Sequence, residues 1–298
     1  MQFLTGNILL WNFSNRSRAS FLGSNSNVWR WLIVSGLFCC IIRSNAQGTP
    51  DTASLLWQKS LRGTALRIDR LDQLYVVNQA NELVKFNLAG EEQARYNQNR
   101  MGPIGLVDPF DPFSVVVYYP EFQVVQVLDR TLNLQWSLDF NRLDLLDITT
   151  VGASNDKNIW AIDRISNRLL KFNPAGKILT ESPAFTLLSK TIPNFTSIQA
   201  SGSLVYAFEP GKGFWVFDQF GQFVKPLSLP GITHYQLFDN QILYYNTTSW
   251  QLYDLQAHLT TPVNLPTPKT VFSFALTGKK WILLHSETLL CFLLPSQF

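Results

Sequence analysis

The sequence predicts an all-β chain made of six copies of one unit, and three observations support this prediction. Residues 158–179 (NIWAIDRISNRLLKFNPAGKIL) consist of two short apolar strands around a polar turn, with no apolar spacing typical of a helix. The same pattern recurs five more times, beginning at Leu74, Val115, Leu204, Ile242 and Trp281. A large apolar or aromatic residue of the second strand recurs every 36 to 45 residues, at Phe86, Leu128, Phe172, Phe217, Tyr253 and Phe292.

A unit of about 40 residues with four strands is the period of a β-propeller blade. Each copy has room for an inner strand before the hairpin, as at 65–68 and 149–152, and for a more polar outer strand after it, as at 92–96 and 134–140. A β-sandwich of unrelated hairpins would also give short strands at even spacing. The triplet Lys-Phe-Asn occurs at both 85–87 and 171–173, which favours a repeat. The sequence therefore predicts a six-bladed β-propeller with four-stranded antiparallel blades.

The last unit lacks an outer strand of its own. It offers strands at 271–276, 281–285 and 288–294, after which the sequence ends at Phe298. The segment LLWQKSL at 55–61 precedes the first blade and resembles the outer strand LQWSL at 134–138. Because an unpaired edge would leave the ring open, we expect 55–61 to pair with 288–294, so that Trp57 packs into the last blade.

Residues 1–46 have the features of a secretory signal. An apolar run at 31–42 follows Arg30 and precedes Ser44-Asn45-Ala46, where small residues favour cleavage after Ala46. The run is shorter than the roughly 20 residues of a membrane-spanning helix. We therefore expect a single propeller domain at 47–298 with no membrane span. The polar leader before the apolar run is long, so either the signal has an extended N-terminal region or translation begins near Val28. The alternative to a cleaved signal is an uncleaved membrane anchor.

Removal of this signal changes the charge of the chain. The 24 Lys and Arg residues include four within 1–46, which has no acidic residue, so 20 basic and 21 acidic residues remain. A nucleic-acid-binding protein needs a basic stripe to neutralise phosphates, and none is visible. We expect an exported monomer, in the periplasm or on the surface of a bacterium, whose partner is a protein, a peptide or a glycan of the cell envelope.

Residues for catalysis are sparse. No G-x-S-x-G motif is present. Cys39 and Cys40 lie in the expected signal, so a cysteine nucleophile would have to be Cys291, which lies in an apolar strand and is expected to be a buried thiol. His234 should open an inner strand and His285 should end a second strand on one face, whereas His258 should lie on the opposite face. Two histidines fall short of a catalytic zinc set. The sequence thus assigns no catalytic residue, metal ligand or cofactor, although a calcium or another metal in the central channel stays open.

Residues 159–176 resemble an NHL repeat, in which a strand ending in Asp is followed by Asn-x-Arg and by a second strand with Phe before Gly. The matching residues are Asp163, Asn167, Arg168, Phe172 and Gly176. Residues 74–90 match in part, with Asn78 in the Asp position and Asn81-Glu82 where Asn-x-Arg is expected. The resemblance implies a six-bladed propeller that recognises a protein or ligand on one face. Some relatives of this shape are lactonases or peptide-amidating lyases with a metal near the central channel.

The Trp-containing segments at 55–63 and 134–140 resemble outer strands of quinoprotein-like propellers. Those proteins include a periplasmic scaffold that helps to assemble outer-membrane β-barrels. Members of that family have eight blades and a regular Trp motif, whereas this chain has six copies and scattered tryptophans. The likeness therefore reflects aromatic packing between blades.

The turns between the second and third strands are expected to form a binding surface, together with the links between blades. Its predicted residues are Asn78, Asn81, Glu82, Tyr119, Glu121, Asp163, Arg168, Glu209, Lys212, His285 and Glu287. This surface is polar and mixed in charge, which suits a peptide or a glycan. The loop DPFDPF at 108–113 is expected to be a rigid loop whose rings fill the interface between blades; the alternative is a preorganised aromatic contact surface for a partner. We predict a binding or scaffold module; the alternatives are a metal-dependent hydrolase or lyase and an envelope assembly factor.

Overall fold

The computed structural model describes residues 53–238, 240–265, 273–285 and 287–295, so the expected signal at 1–46 and the expected strand start at 271–272 lie outside it. Within these residues the chain forms 24 strands. In chain order the strands are β1 Ser54–Ser60, β2 Gly63–Ile68, β3 Leu74–Asn78, β4 Glu82–Phe86, β5 Glu92–Asn97, β6 Leu106–Asp108, β7 Val115–Tyr119, β8 Val124–Leu128, β9 Leu134–Asp139, β10 Ile148–Ala153, β11 Ile159–Asp163, β12 Arg168–Phe172, β13 Ile178–Glu181, β14 Ser197–Ser201, β15 Leu204–Glu209, β16 Gly213–Asp218, β17 Phe223–Ser228, β18 His234–Phe238, β19 Gln241–Tyr245, β20 Trp250–Asp254, β21 Leu259–Val263, β22 Ser273–Thr277, β23 Lys280–His285 and β24 Thr288–Leu293.

The strands pair as six four-stranded antiparallel sheets, which confirms the predicted six-bladed β-propeller. Blades 1 to 5 each use four consecutive strands, beginning with β2, β6, β10, β14 and β18, and blade 6 has the order β1-β24-β23-β22. Over the described residues, helical structure is limited to a 3-10 turn at Phe140–Leu143 and one short α-helix, α1, at Phe185–Leu188. In the part of the chain described above, neither is long and apolar enough to cross a membrane.

The turn between the third and fourth strands has the same chemistry in five blades. An Asn or Asp at the end of the third strand accepts hydrogen bonds from backbone N–H groups that follow it; these residues are Asn87, Asp129, Asn173, Asp218 and Asp254. Such side chains replace part of the backbone ladder and so end a strand in a tight turn. The recurring Lys-Phe-Asn triplet therefore has a structural cause.

The large residue that marks the period in the sequence also has a fixed place in the fold. In blades 1 to 4 the pairing of third and fourth strands shifts at this residue, namely at Phe86, Leu128, Phe172 and Phe217. Such a bulge bends and twists the outer part of the blade. The recurrence of the bulge at equivalent positions supports the interpretation of these segments as copies of one unit.

The apolar core lies between the blades. Each of the six boundaries between neighbouring blades is filled by one cluster of buried residues in the described chain. Between blades 5 and 6, for example, the rings of Trp250 and Trp281 meet edge to face with centroids 4.9 Å apart. Aromatic pairs of this geometry stabilise a core beyond their apolar area. Since the clusters continue around the ring, every blade is packed on both of its faces.

The ring closes as predicted, because β1 supplies the outer strand of blade 6. It pairs antiparallel with β24, from Ser54 opposite Leu293 to Ser60 opposite Thr288. Trp57 lies opposite Cys291 in this pairing, and its indole Nε1 donates to the backbone oxygen of Leu88 at 3.1 Å. The strand thus belongs to the last blade, while the indole ring also contacts the first. Cys291 is a buried free thiol, as expected, and burial raises its pKa.

Candidate functional site

The first strands of five blades, namely β2, β6, β14, β18 and β22, line a central cavity of about 780 Å³. Its wall combines charged, amide and aromatic side chains, among them Arg67, Asp108, Gln199, His234, Tyr235 and Phe238. A cavity of this size is within the range of small-molecule sites in proteins. We refer to it as the channel.

Many polar side chains of the channel wall hold neighbouring blades together. Each boundary has a hydrogen bond between a side chain of one first strand, or of the turn after it, and the backbone of the next. These bonds join Arg70 Nε to Phe110 O, Ala153 N to Asp108 Oδ2, Thr150 Oγ1 to Thr196 O, Gln199 Nε2 to Leu237 O, Gln236 Nε2 to Leu276 O, and Ser273 Oγ to Leu66 O. The polar wall is therefore in large part structural.

Asp108, His234 and Arg67 interact within a channel wall that carries two guanidinium groups and three carboxylates. Burial raises the pKa of Asp108, although the N–H groups of Ala153 and Phe110 and the charge of Arg67 act in the opposite direction. Burial, followed by the charge of Arg67, lowers the pKa of His234. The His234 imidazole is therefore neutral at pH 7, and the guanidinium of Arg67 is the main positive charge beside it.

The three histidines lie where the sequence analysis expected them. His234 is the first residue of β18, His285 is the last residue of β23, and His258 lies in the turn between β20 and β21. The Tyr253 hydroxyl lies 2.9 Å from His258 Nδ1. In the ranges that the structure describes, no three His, Cys, Asp or Glu side chains are grouped so that they could hold a metal ion.

In a blade of four antiparallel strands, the second and the fourth strand end at the same end of the blade. The turns between second and third strands therefore lie beside the links that lead from one blade to the next. Hydrogen bonds join these turns to the links: Ile104 N donates to Asn81 Oδ1 at 2.7 Å, and Gly211 N donates to Ile232 O at 2.8 Å. We call this surface the turn face.

Three residues predicted as contacts on the turn face are buried, and the prediction is wrong for them as surface residues. Tyr119, Asp163 and Glu209 are 0%, 3% and 5% exposed. Each is the last residue of a second strand, and its side chain turns inward instead of to solvent. Asp163 accepts hydrogen bonds from Ile165 N and Ser166 N, so its carboxylate shapes the turn. Tyr119 lies in the apolar cluster between blades 1 and 2.

Most other predicted residues also stabilise turns. Asn78 and Glu82 bond to each other across their turn, and Arg168 Nη1 donates to Ser182 O at 2.6 Å. The half-buried residues of this set are Asn78, Asn81, Glu82, Arg168 and His285. The predicted residues that remain exposed are Glu121, Lys212 and Glu287. Of these, Lys212 pairs with Glu209 and Glu287 with Arg62.

The turn face instead exposes large apolar residues that the sequence analysis missed. They are Phe122 at 47%, Leu146 at 64%, Ile165 at 64%, Leu187 at 78% and Ile192 at 57% exposure. They lie on consecutive turns and links of blades 2 to 4. Apolar residues within otherwise polar turns, as in PEFQ and DRISNR, were the available signal in the sequence.

Hydrogen bonds place these turns and links side by side. Asn141 Nδ2 donates to Phe122 O, Arg164 N donates to Asp147 O, and Phe185 N donates to Asn167 O, at 2.9, 3.0 and 2.8 Å. Each bond joins the turn of one blade to a neighbouring link. The five residues therefore follow one another along an arc, which we call the apolar arc.

The loop at 108–113 lies at the opposite end of the channel. Arg70 stacks on the Phe110 ring with its guanidinium carbon 4.5 Å from the centroid, and Phe110 also lines the channel. Pro112 is buried, whereas Phe113 is 57% exposed. The loop thus supplies one ring to the channel mouth and one to solvent.

No protein-family model and no curated protein matches this chain, so the resemblance to NHL repeats remains a prediction. Among solved structures, it is similar to a catalytically inactive variant of virginiamycin B lyase from Staphylococcus aureus with quinupristin. The TM-score is 0.56 at 12% identity, over 82% of this chain and 98% of that one. The selenomethionine-substituted lyase gives a TM-score of 0.55 at 12% identity, over 82% and 100% of the two chains. The similarity supports the propeller fold.

Proposed function

We propose that the chain is an exported binding module that recognises a protein or peptide of the bacterial cell envelope through the turn face. The observation that carries this proposal is the apolar arc of Phe122, Leu146, Ile165, Leu187 and Ile192. Soluble monomers rarely leave a large contiguous apolar patch in water, and such patches commonly mark interaction sites. Export rests on the signal pattern of residues 1–46.

The chemistry of the arc favours a polypeptide over a glycan. Four of its five side chains are aliphatic, and they gain free energy by removing apolar area of a partner from water, roughly 1.5–3 kcal/mol for each fully buried Leu or Ile. Charged residues border the arc, including Arg142 and the pair of exposed Arg164 with half-buried Asp147. An apolar centre with a charged rim is the usual arrangement of a protein interface.

Capture of envelope proteins on the chain comprising residues 47–298 tests this proposal. Leu187→Asp and Ile165→Asp place a charge within the arc, and Phe220→Asp is the matched control. Phe220 is 65% exposed but lies in the turn between β16 and β17, at the opposite end of its blade. A partner identified by mass spectrometry and purified should bind the control as it binds the wild type.

We expect Leu187→Asp to weaken that binding by at least about tenfold, because a buried charge without a partner is costly at an interface. Equal binding by the wild type and both arc variants, with unchanged melting temperatures, would refute a role of the turn face. The identity of the captured protein distinguishes a general scaffold from an assembly factor of the outer membrane.

A second candidate function is that of a propeller-type lyase. It is supported by the similarity to virginiamycin B lyase and by the neutral imidazole of His234 in the channel, which is able to accept a proton. Incubation with quinupristin, followed by chromatography of the parent compound, tests this alternative together with metal analysis of the purified protein. Loss of the parent compound that depends on His234 would favour the lyase, and its full recovery would favour the binding module.

A further inference from the structure

Arg67 is a cation of the channel with no ion-pair partner within the described part of the chain. Its side chain is exposed to the channel, and Nη1 donates to Leu66 O at 2.9 Å and lies 3.4 Å from Ser273 Oγ. The eight ion pairs found there do not include it. A guanidinium has five N–H donors in a planar fork, so these two hydrogen bonds leave most of its donors available to a ligand in the cavity that Arg67 lines.

The carboxylates of the channel wall are already engaged by other groups. Asp108 accepts the N–H groups of Phe110 and Ala153 at 3.0 and 2.8 Å. Asp69 is buried and accepts the Tyr75 hydroxyl at 2.9 Å, and Asp72 accepts the Thr277 hydroxyl. These bonds fix the turns and the boundary between blades 2 and 3. None of the three carboxylates forms an ion pair with Arg67 in the described chain, and the charge of Arg67 reaches Asp108 only at longer range.

The remainder of the channel suits an organic body next to that charge. Tyr235, Phe238 and Phe274 belong to its wall, and Gln199 presents an amide there. The volume of about 780 Å³ is large enough for a ring or a short chain in addition to an anionic head group. The lining also contains Arg70 and the carboxylates of Asp69, Asp72 and Asp108, and His234 is neutral at pH 7. Because these carboxylates repel a second negative charge, the site favours a monoanion over a dianion such as a phosphate monoester.

We propose that the channel binds a small organic acid, with its carboxylate on the guanidinium of Arg67 and its apolar body against Tyr235, Phe238 and Phe274. Planar bidentate pairing is the geometry in which Arg recognises a carboxylate. This site is separate from the turn face, and its test does not depend on the partner proposed there.

Titration calorimetry of the chain 47–298 with three probes of similar size tests the site. Benzoate carries the carboxylate, phenyl phosphate carries a dianion, and benzyl alcohol carries no charge. We expect saturable binding of benzoate, weaker binding of phenyl phosphate and none of benzyl alcohol. Tighter binding of phenyl phosphate than of benzoate would overturn the assignment to a carboxylate, as would the absence of saturable benzoate binding at about 10 mM.

Substitutions locate the binding. Arg67→Gln should weaken benzoate binding by at least about tenfold, because it removes the charge-assisted pair, and Arg67→Lys should retain part of the affinity. Arg142→Gln is the matched control, since Arg142 is 85% exposed and lies outside the channel lining. Equal affinity of Arg67→Gln and wild type would refute the site. In the wild type, contacts by nuclear Overhauser effect between benzoate and the Phe238 ring give a readout independent of variant folding, and their absence would also count against it.

Discussion

Trp57 is the residue through which the two ends of the chain close the ring, and its replacement by Ala is the most direct test of the closure. Its strand β1 pairs with β24 of blade 6, while its indole contacts Leu88 and lies over Gly90 of blade 1. Loss of a fully buried Trp costs about 3–5 kcal/mol. Trp57 is half-buried, so we expect roughly 2–3 kcal/mol, including about 1 kcal/mol for the lost hydrogen bond to Leu88.

For a domain of this size, that loss corresponds to a melting temperature lowered by about 4–12 °C, measured by far-UV circular dichroism so that the loss of a fluorophore does not interfere. Trp57→Phe keeps a ring and loses the hydrogen bond, so it should cost about 1 kcal/mol. Leu56→Ala is the matched control on the same strand, because Leu56 is 45% exposed, and it should cost below about 1 kcal/mol.

A chain that begins at Thr64 lacks β1 entirely and should lose cooperative unfolding, since it exposes the edge of β24 and opens the cluster between blades 6 and 1. If Trp57→Ala has the same melting temperature as Leu56→Ala, and if the shortened chain keeps the wild-type unfolding transition, the ring closes through other contacts.

Two further predictions concern glycine positions and pH. In urea unfolding, Gly213→Ala should lower the free energy of unfolding by more than about 3 kcal/mol and Gly211→Ala by about 1 kcal/mol. A Cβ at Gly213 would lie 2.1 Å from Leu227 O, whereas a Cβ at Gly211 would have none of the surrounding atoms within 4 Å. Similar losses for the two variants would refute the steric reasoning. Burial acts to raise the pKa of Asp156. Hydrogen bonds to its carboxylate, the strongest of them from Lys171, and the positive charge of Lys171 outweigh this effect and lower the pKa to about 2. Because this value is below the unfolded value of about 3.9, the carboxylate stabilises the fold above about pH 4, and this contribution is lost as the pH falls towards 2. Asp156→Asn should therefore be less stable than wild type at pH 6, by below about 1 kcal/mol for this half-exposed group, with the difference vanishing near pH 2; a difference that does not change with pH would contradict the assignment.

The architecture could be predicted because it depends on local chemistry that repeats. The turn residues Asn87 and Asn173 follow the large residues Phe86 and Phe172 in the same triplet, and each triplet produces the same bulge and turn. The closing strand could also be predicted, since a ring of four-stranded blades with one three-stranded member demands a partner for β24.

The surface could not be predicted with the same success, because sequence position locates a turn but not the direction of its side chains. Tyr119 and Glu209 end their strands as expected, yet both are buried, and Tyr119 packs in the cluster between blades 1 and 2. Conversely, Leu187 is apolar and would be assigned to a core, but its link carries it into solvent. Which side of a turn meets a neighbouring blade depends on packing between units, which no single repeat encodes.

Most polar side chains of the channel wall join neighbouring blades, and Arg67 differs from them in its interactions. The first strand of each blade pairs with another strand on one side only. On its other side, side chains join it to the backbone of the neighbouring blade, as Gln199, Gln236 and Thr150 do. Buried polar groups that meet backbone partners hold the ring in register. Arg67 differs, because its donors exceed the two oxygens near it and its charge has no carboxylate partner in the described chain. One of its hydrogen bonds reaches Ser273 of blade 6, and the donors that remain are available to the carboxylate ligand proposed above.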